Sequence, residues 1–432
     1  MKISLESRLF TNICATIRHP LSSRKRRAWR EAMKARVFSA KGASVAHRLS
    51  VDARMYNVYV GNSLSRYPAS DYISWSPPPQ TKFRDDIKVI AYYLPQFHPI
   101  PENDVWWGKG FTEWRNVARA FPVFDGHYQP RIPGELGYYD LRLVDNMRRQ
   151  IELATAYGVS AFCFHFYWFG GKTLLEQPLR NVLENKDLAI PFSLCWANEN
   201  WSRRWDGGDN SLLIRQQHSP SDDVEFIRYI EKYFRDERYM KVDGKPVLSV
   251  YRPDILPDSQ ATVTRWREEA IRLGFPGLYL IATNSFNFVD YREHGFDALS
   301  EFPPHQLQFH FLQESYHTSS ERVGGSIYSY PKLVDYELSK PSPEGTVHPG
   351  VMPGWDNSAR RPNDAIIFHG ATPALFRRWL ERAVEKAASN PEAERFVFIN
   401  AWNEWAEGAY LEPDARYGYA WLQMVREATR EE

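Results

Sequence analysis

Long apolar runs are missing from this sequence. No stretch of about 18 apolar residues occurs anywhere, and the first 25 residues hold no continuous apolar segment of the kind that opens a secretory signal. These absences lead to the expectation of a soluble chain, not secreted, in the cytoplasm or at the inner face of the inner membrane. Cysteine is scarce: Cys14, Cys163 and Cys195 are too few for a disulfide framework, and the last two sit in strongly apolar runs, as buried free thiols of a reducing compartment do. Net charge is nearly absent, at +1 overall, which excludes a generally basic nucleic-acid-binding surface. Neither a GxGxxG nor a Walker A loop occurs, and no HxH, HExxH or CxxC spacing offers a metal site, so no cofactor and no metal are expected.

What the sequence does have is rings. It carries 15 Trp, 24 Tyr and 25 Phe, or 15% of the chain. A bulky core is one reading of that excess. The other is a sugar-binding cleft, where a flat ring meets C–H groups and its polar edge meets hydroxyls. Charge, though balanced overall, is unevenly spread. Residues 1–85 carry 16 Lys or Arg against 5 Asp or Glu, which leaves the rest of the chain acidic by ten charges. That arm includes Ser22-Ser23-Arg24-Lys25-Arg26-Arg27 and ends near Ser76-Pro77-Pro78-Pro79, a linker-like composition. Residues 24–48 would suit a basic amphipathic helix touching anionic lipid or a partner protein. A disordered extension is the reading the composition favours, and an Arg-rich, acid-poor start also fits an organelle transit peptide.

From residue 88 the pattern turns regular. Apolar runs begin near residues 88, 159, 190, 247, 278, 298, 351 and 396, and most are followed by an amphipathic helix: 141–157, 174–184, 222–234, 261–273, 374–388 and 419–429. Eight such units over about 340 residues predict a (β/α)8 barrel with enlarged loops, residues 86–432, preceded by the poorly ordered basic arm 1–85. An open doubly wound sheet, the alternative, would show a Gly-rich phosphate loop after an early strand.

In a barrel the chemistry sits where the strands end. The expected strand ends carry Tyr92, Tyr93 and His98; His165 and Tyr167; Trp196, Asn198 and Glu199; Tyr251; Trp355 and Asp356; and Trp402, Asn403 and Glu404. The first long loop adds Trp107 and Glu113. These aromatics, amides and carboxylates compose a polyhydroxyl-binding rim by residue type. The eighth strand end reads Asn403-Glu404-Trp405-Ala406-Glu407-Gly408. In a continued strand, residues three apart face opposite ways. If the chain turns helically they share a side, and Gly408 favours a turn, so Glu404 and Glu407 are the expected catalytic pair. His98 and His165 would hydrogen-bond substrate or sit satisfied in the core.

This last segment, with Glu412-Pro413 downstream, resembles the catalytic segment of glycoside hydrolase family 99, the endo-α-mannosidases. Tyr92-Tyr93-Leu94-Pro95-Gln96-Phe97-His98, Trp107-Gly108-Lys109-Gly110-Phe111-Thr112-Glu113-Trp114 and Pro353-Gly354-Trp355-Asp356-Asn357 are more similar still to the WbsX family. That family is a family-99-like group of bacterial surface-polysaccharide gene clusters, commonly labelled glycosyltransferase. The resemblance spans about residues 87–430. It implies a (β/α)8 barrel and metal-independent action with retention, in which Glu404 works on the substrate's own 2-hydroxyl and Glu407 protonates the leaving oxygen. An oligosaccharide or polysaccharide substrate follows, with hydrolysis and transfer both open. A non-catalytic glycan-binding barrel is the rival from another class, and a metal-dependent hydrolase a third.

Overall fold

The computed structural model describes residues 68–431 apart from 125, 203–210, 287, 306–311 and 315–324. Cys14 and the basic stretch 24–48 lie outside the described residues. Eight parallel strands form the centre: β1 Lys88–Tyr93, β2 Ala161–Phe169, β3 Phe192–Trp196, β4 Lys245–Val250, β5 Tyr279–Asn284, β6 Ala298–Glu301, β7 in two segments, Val347–His348 and Gly350–Val351, and β8 Phe396–Ile399. Each pairs in parallel with the next, with Ile90 opposite Ala161 and Leu194 opposite Leu248, and β1 returns to β8 with Lys88 opposite Phe396. The ring closes through β7, whose first segment pairs with β6 and whose second pairs with β8. Between them the Pro349 carbonyl accepts the Phe398 amide at 2.9 Å. Gly350 sits so close to β6 that a Cβ there would come within 2.3 Å of the Glu301 carbonyl oxygen, so no side chain fits.

Strand parity divides two cores. Ile90, Tyr92, Ala161, Cys163, Cys195, Val247, Ile281, Phe302 and Phe398 point into the barrel. Val89, Ala91, Tyr93, Phe162, Phe164, Leu194, Trp196 and Leu248 point out, under the helices. Both faces are therefore apolar, the expected state of a parallel sheet covered by helices. The main outer helices are α1 Val144–Ala156, α2 Gln177–Glu184, α3 Pro220–Phe234, α4 Ser259–Arg272, α5 Tyr330–Ser339, α6 Pro373–Ala387 and α7 Ala420–Thr429. Ser219, Ser329 and Thr372 cap α3, α5 and α6 with their hydroxyls, each beside a proline in the first turn. Such a cap satisfies an amide the helix leaves open, while proline lacks the hydrogen that would need a partner. None of the described helices is long and apolar enough to cross a membrane.

Two features differ from the sequence-based expectation. The seventh strand ends at Val351, and Trp355–Asp356 belongs to a second, four-stranded sheet with Ala365–His369, Gly325–Ser329 and Gln313–Glu314. That sheet draws on the segments after β6 and β7, so the stretch 303–350 contains two of its strands, α5 and the start of β7 as well as loop. Residues 68–85, assigned from sequence to the arm, run along the chain's C-terminal part: the Ile73 amide donates to the Tyr417 carbonyl at 3.1 Å and the Arg84 amide to the Thr429 carbonyl at 2.9 Å.

Candidate active site

Beyond β8 the chain makes a small hairpin. Asn403–Glu404 pairs antiparallel with Ala409–Tyr410, and Trp405–Glu407 is a 3-10 turn between them. Residues three apart in a 3-10 turn lie over one another, and Gly408, at φ +65°, closes it in the left-handed region that favours glycine. The turn expected from Gly408 is thus the one that forms, and it brings Glu404 and Glu407 to one side. What meets them there is Arg360. Its Nη2 contacts Glu404 Oε1, its Nη1 lies 2.6 Å from Glu407 Oε1, and its Nε lies 2.9 Å from Glu113 Oε1. One guanidinium is therefore shared by three carboxylates from distant parts of the chain. Its planar, rigid fork fixes their relative placement.

Each member is itself held. Glu113 leads into the short helix Trp114–Arg119 and takes a second hydrogen bond from Asn116 Nδ2 at 3.1 Å. Arg360 follows the 3-10 turn Asn357–Ala359, whose first amides are capped by Asp356 Oδ1 through Ser358 N at 3.0 Å. Asp356 in turn accepts from His127 Nε2 and Gln129 Nε2, both at 2.7 Å. The buried Glu412 accepts from Trp405 Nε1 and Gln150 Nε2, both at 2.6 Å, and from Tyr139 Oη at 3.0 Å.

Burial dominates the electrostatics. It raises the Glu404 carboxyl to about 8, against the pull of Arg360 and with help from Glu407 and Glu113. Burial raises Glu407 too, again with Arg360 opposing and Glu113 adding. Glu412 is pushed up to about 7 by burial, its hydrogen-bond donors notwithstanding. His165 is pushed down to about 4 by burial and by the Arg360 charge, so its ring is neutral. Tyr167 lies in the same field: burial raises its phenol, and Glu404, Arg360 and Glu113 all bear on it. Glu407 acts on Tyr251. Thus Glu113, His165, Tyr167, Tyr251, Glu404 and Glu407 gather at one rim.

The other sequence-based candidates go elsewhere. Tyr93 and Trp196 have outward parity. Tyr93 donates to Gln150 Oε1 at 2.7 Å, and Trp196 packs on Phe226 and Trp266. Tyr92 points inward but lies inside the barrel, its hydroxyl 3.2 Å from Ser300 Oγ. Trp402 packs on Phe162, and Trp405 stacks on Tyr410 at 3.8 Å. His98 is buried, with no hydrogen-bond partner for Nδ1 among the described residues. Asn198 clasps the backbone of Arg252 on both sides at 2.8 Å. Asn403 and Asp356 are likewise committed to the fold, the latter as a cap rather than a sugar ligand. Trp355 is buried with its ring edge-on to His305 at 5.3 Å. Glu199 is partly exposed and paired with Arg252 at 2.7 Å. Trp107, half-buried, lines a groove with Gln96, Asn103, Trp201, Ser202 and Leu213. Gln96 Nε2 reaches from that groove to Tyr167 Oη at 2.9 Å.

The family model described as glycosyltransferase WbsX matches residues 89–425. Two relatives, both named WxcX and both from Xanthomonas campestris pv. campestris (strains B100 and ATCC 33913), are 49% identical over 341 residues, covering 79% of this chain and 49% of theirs. The chain thus spans about half the length of the curated relatives it matches. Among solved structures, a glycoside hydrolase-like protein superposes with a TM-score of 0.52 at 18% identity, covering 85% of this chain and 100% of that one. A GH99 endo-alpha-mannosidase from Bacteroides thetaiotaomicron, in complex with BIS-TRIS-propane, gives 0.50 at 17%, covering 80% and 96%. At such identities the structural likeness concerns the fold, a glycoside-hydrolase-like (β/α)8 barrel. The match along most of its length shows that the chain belongs to the WbsX glycosyltransferase family.

Proposed function

We propose that this carbohydrate-active barrel makes or breaks an α-glycosidic bond with retention, using Glu404 and Glu407, in bacterial surface-polysaccharide metabolism. One observation carries the reading: two carboxyls with raised proton affinity, Glu404 buried and Glu407 largely enclosed, stand at the strand-end rim on separate nitrogens of Arg360. A carboxyl that binds its proton more tightly is a better base once ionised and an acid that survives at neutral pH, which glycosidic chemistry uses on opposite sides of one bond. Family membership supports the substrate class, and the motif resemblance supports both the division of labour and the polysaccharide setting.

In the scheme this favours, Glu404 takes the proton of the sugar's 2-hydroxyl and O2 attacks C1. The bond from C1 to the leaving oxygen breaks, and Glu407 gives that oxygen its proton, leaving a 1,2-anhydro sugar. Glu407 then takes a proton from the incoming hydroxyl or water, whose oxygen opens the ring at C1, and Glu404 returns its proton to O2. Both carboxyls end as they began and the anomeric configuration is retained. Glu404 is the deeper of the two and Glu407 the more exposed, at 7% and 21% of the side chain, which suits a base facing the donor sugar and an acid facing the exchanging partner. The family label favours a sugar rather than water as acceptor.

The test is to incubate the protein with α-linked oligosaccharides and polysaccharides beside Glu404→Gln and Glu407→Gln, following the product anomer by NMR. Retained configuration in wild type and loss of at least about a thousandfold in each variant is expected. Turnover unaffected by both substitutions removes the assignment. Binding without turnover on every glycan would make the protein a lectin-like barrel.

A further inference from the structure

The cluster around Arg360 holds more acid than base. Glu113 is fully buried, Glu404 nearly so, and Glu407 is largely enclosed, yet all three turn to the same guanidinium. Among the described residues the surrounding elements bring little balancing charge, because Arg131 is engaged by Asp356 at 3.8 Å and the Tyr410 hydroxyl at 3.4 Å, and Arg252 by Glu199 and Asp254, both at 2.7 Å. From β2, His165 is neutral and Tyr167 is an un-ionised phenol, and the same holds for Tyr251 at the end of β4. Arg361 adds a weaker pull on Glu407. Fully ionised, the three carboxylates would leave negative charge unbalanced in a desolvated site, which is costly unless a proton is retained. Glu113 deepens the shortage, because its Oε1 holds Arg360 Nε while its buried Oε2 has no hydrogen-bond partner among the described residues.

We propose that Arg360 is a positioning residue which, with Glu113 competing for its charge, keeps one proton shared between Glu404 and Glu407 at neutral pH. The pair then presents one acid and one base before any sugar arrives. The usefulness of this state rests on the catalytic reading above, but the state itself is a property of the sugar-free protein. The direction of the Glu404 and Glu407 shifts agrees with it.

The experiment labels the glutamate side-chain carboxyls with carbon-13 and titrates the full chain by NMR with no glycan present. Glu404→Gln and Glu407→Gln identify the two signals by their loss. In wild type one of those signals should titrate at least about one unit above the ordinary glutamate range. Glu113→Gln should lower that midpoint, because Arg360 then serves the pair alone. Arg360→Gln should raise it, and Arg360→Lys should bring it back to within about half a unit of wild type. Opposite signs are the discriminating readout, since loosened packing would lower the midpoint in every variant. If Arg360→Gln does not fold, Arg360→Lys unchanged or raised beside Glu113→Gln lowered is the expected pair, and both lowered together overturns the inference. So does a wild type whose two signals both titrate normally. Because no substrate is used, a protein inert towards every glycan leaves a positive result standing. An active enzyme with ordinary titrations removes this inference alone.

Discussion

Asn403 clasps Leu94 on both sides: its Oδ1 accepts the Leu94 amide at 2.7 Å and its Nδ2 donates to the Leu94 carbonyl at 3.0 Å. Leu94 directly follows β1 and Asn403 directly precedes Glu404, so one amide side chain ties the end of the first strand to the turn that carries Glu404 and Glu407. Both partners are buried, and a buried backbone group left unpaired costs about 1–3 kcal/mol. Asn403→Ala should therefore lower unfolding free energy by about 2–4 kcal/mol in urea titration. It should also reduce turnover more than stability alone explains, because Glu404 loses its anchor. Wild-type stability in Asn403→Ala would show that the clasp is dispensable.

The raised carboxyls give the stability a specific pH profile. Burial raises Glu404, which shares its environment with Glu407, to about 8 and Glu412 to about 7 in the folded chain, against an ordinary value of 4.5. Between about pH 4.5 and 8 the native state therefore holds protons that the unfolded chain has released, and stability falls as pH rises through that window. The opposite sign applies to Glu176. Burial would raise it, but Tyr233, Lys232 and Tyr229 hold it down to about 2. Its contribution is present above the ordinary range and is lost as pH falls towards 2. Urea midpoints should peak near about pH 5. Glu404→Gln should flatten the alkaline side and Glu176→Gln the acidic side. A midpoint that rises steadily from pH 5 to 8 would contradict the burial of Glu404.

How far the sequence spoke can be read from these residues. Seven of the eight strand positions were legible, because a strand buried on both faces is a short continuous apolar run between polar punctuation; β7, broken at Pro349 and ending at Val351, has no such run. The same double burial hid strand parity. Tyr92 and Tyr93 are adjacent tyrosines, yet one fills the barrel and the other packs under α1. Glu404 and Glu407 were legible because a local turn joins them. Arg360 was not: it lies 44 residues from Glu404, in an Arg-Arg-Pro loop that reads as solvated surface. What turns it inward is the Asp356 cap held by His127 and Gln129, contacts that no local pattern announces.

Gly408 ends the turn that carries Glu407, and its φ of +65° is strained for any residue with a Cβ. A methyl group there would also come within 2.8 Å of Arg131 Nε and Nη2. Gly408→Ala should cost about 1–2 kcal/mol of stability from the backbone conformation. It should lower kcat further by tilting the Glu407 carboxyl off Arg360. The check is urea unfolding together with single-turnover kinetics. Unchanged kcat in a destabilised protein would separate the turn from the chemistry.

The groove lined by Gln96, Asn103, Trp107, Trp201, Ser202 and Leu213 connects to the carboxylate pair through Gln96 and Tyr167. Its two indoles are mounted differently. Trp201 stands edge-on to Tyr167 at 4.9 Å and to Trp106 at 5.8 Å, so its ring also supports its neighbours. Trp107 approaches Phe111 at 5.9 Å and is only half-buried, so the part of its indole that stays accessible lies in the groove. Trp107→Ala should therefore raise KM about tenfold, a loss of about 1.4 kcal/mol of binding, with kcat within about threefold and stability within about 1 kcal/mol. Trp201→Ala should raise KM and lower stability together, since its removal leaves Tyr167 unsupported beside Glu404. Steady-state kinetics on the glycan that wild type turns over, beside urea unfolding of both variants, checks the contrast. An unchanged KM in Trp107→Ala would place the sugar outside this groove.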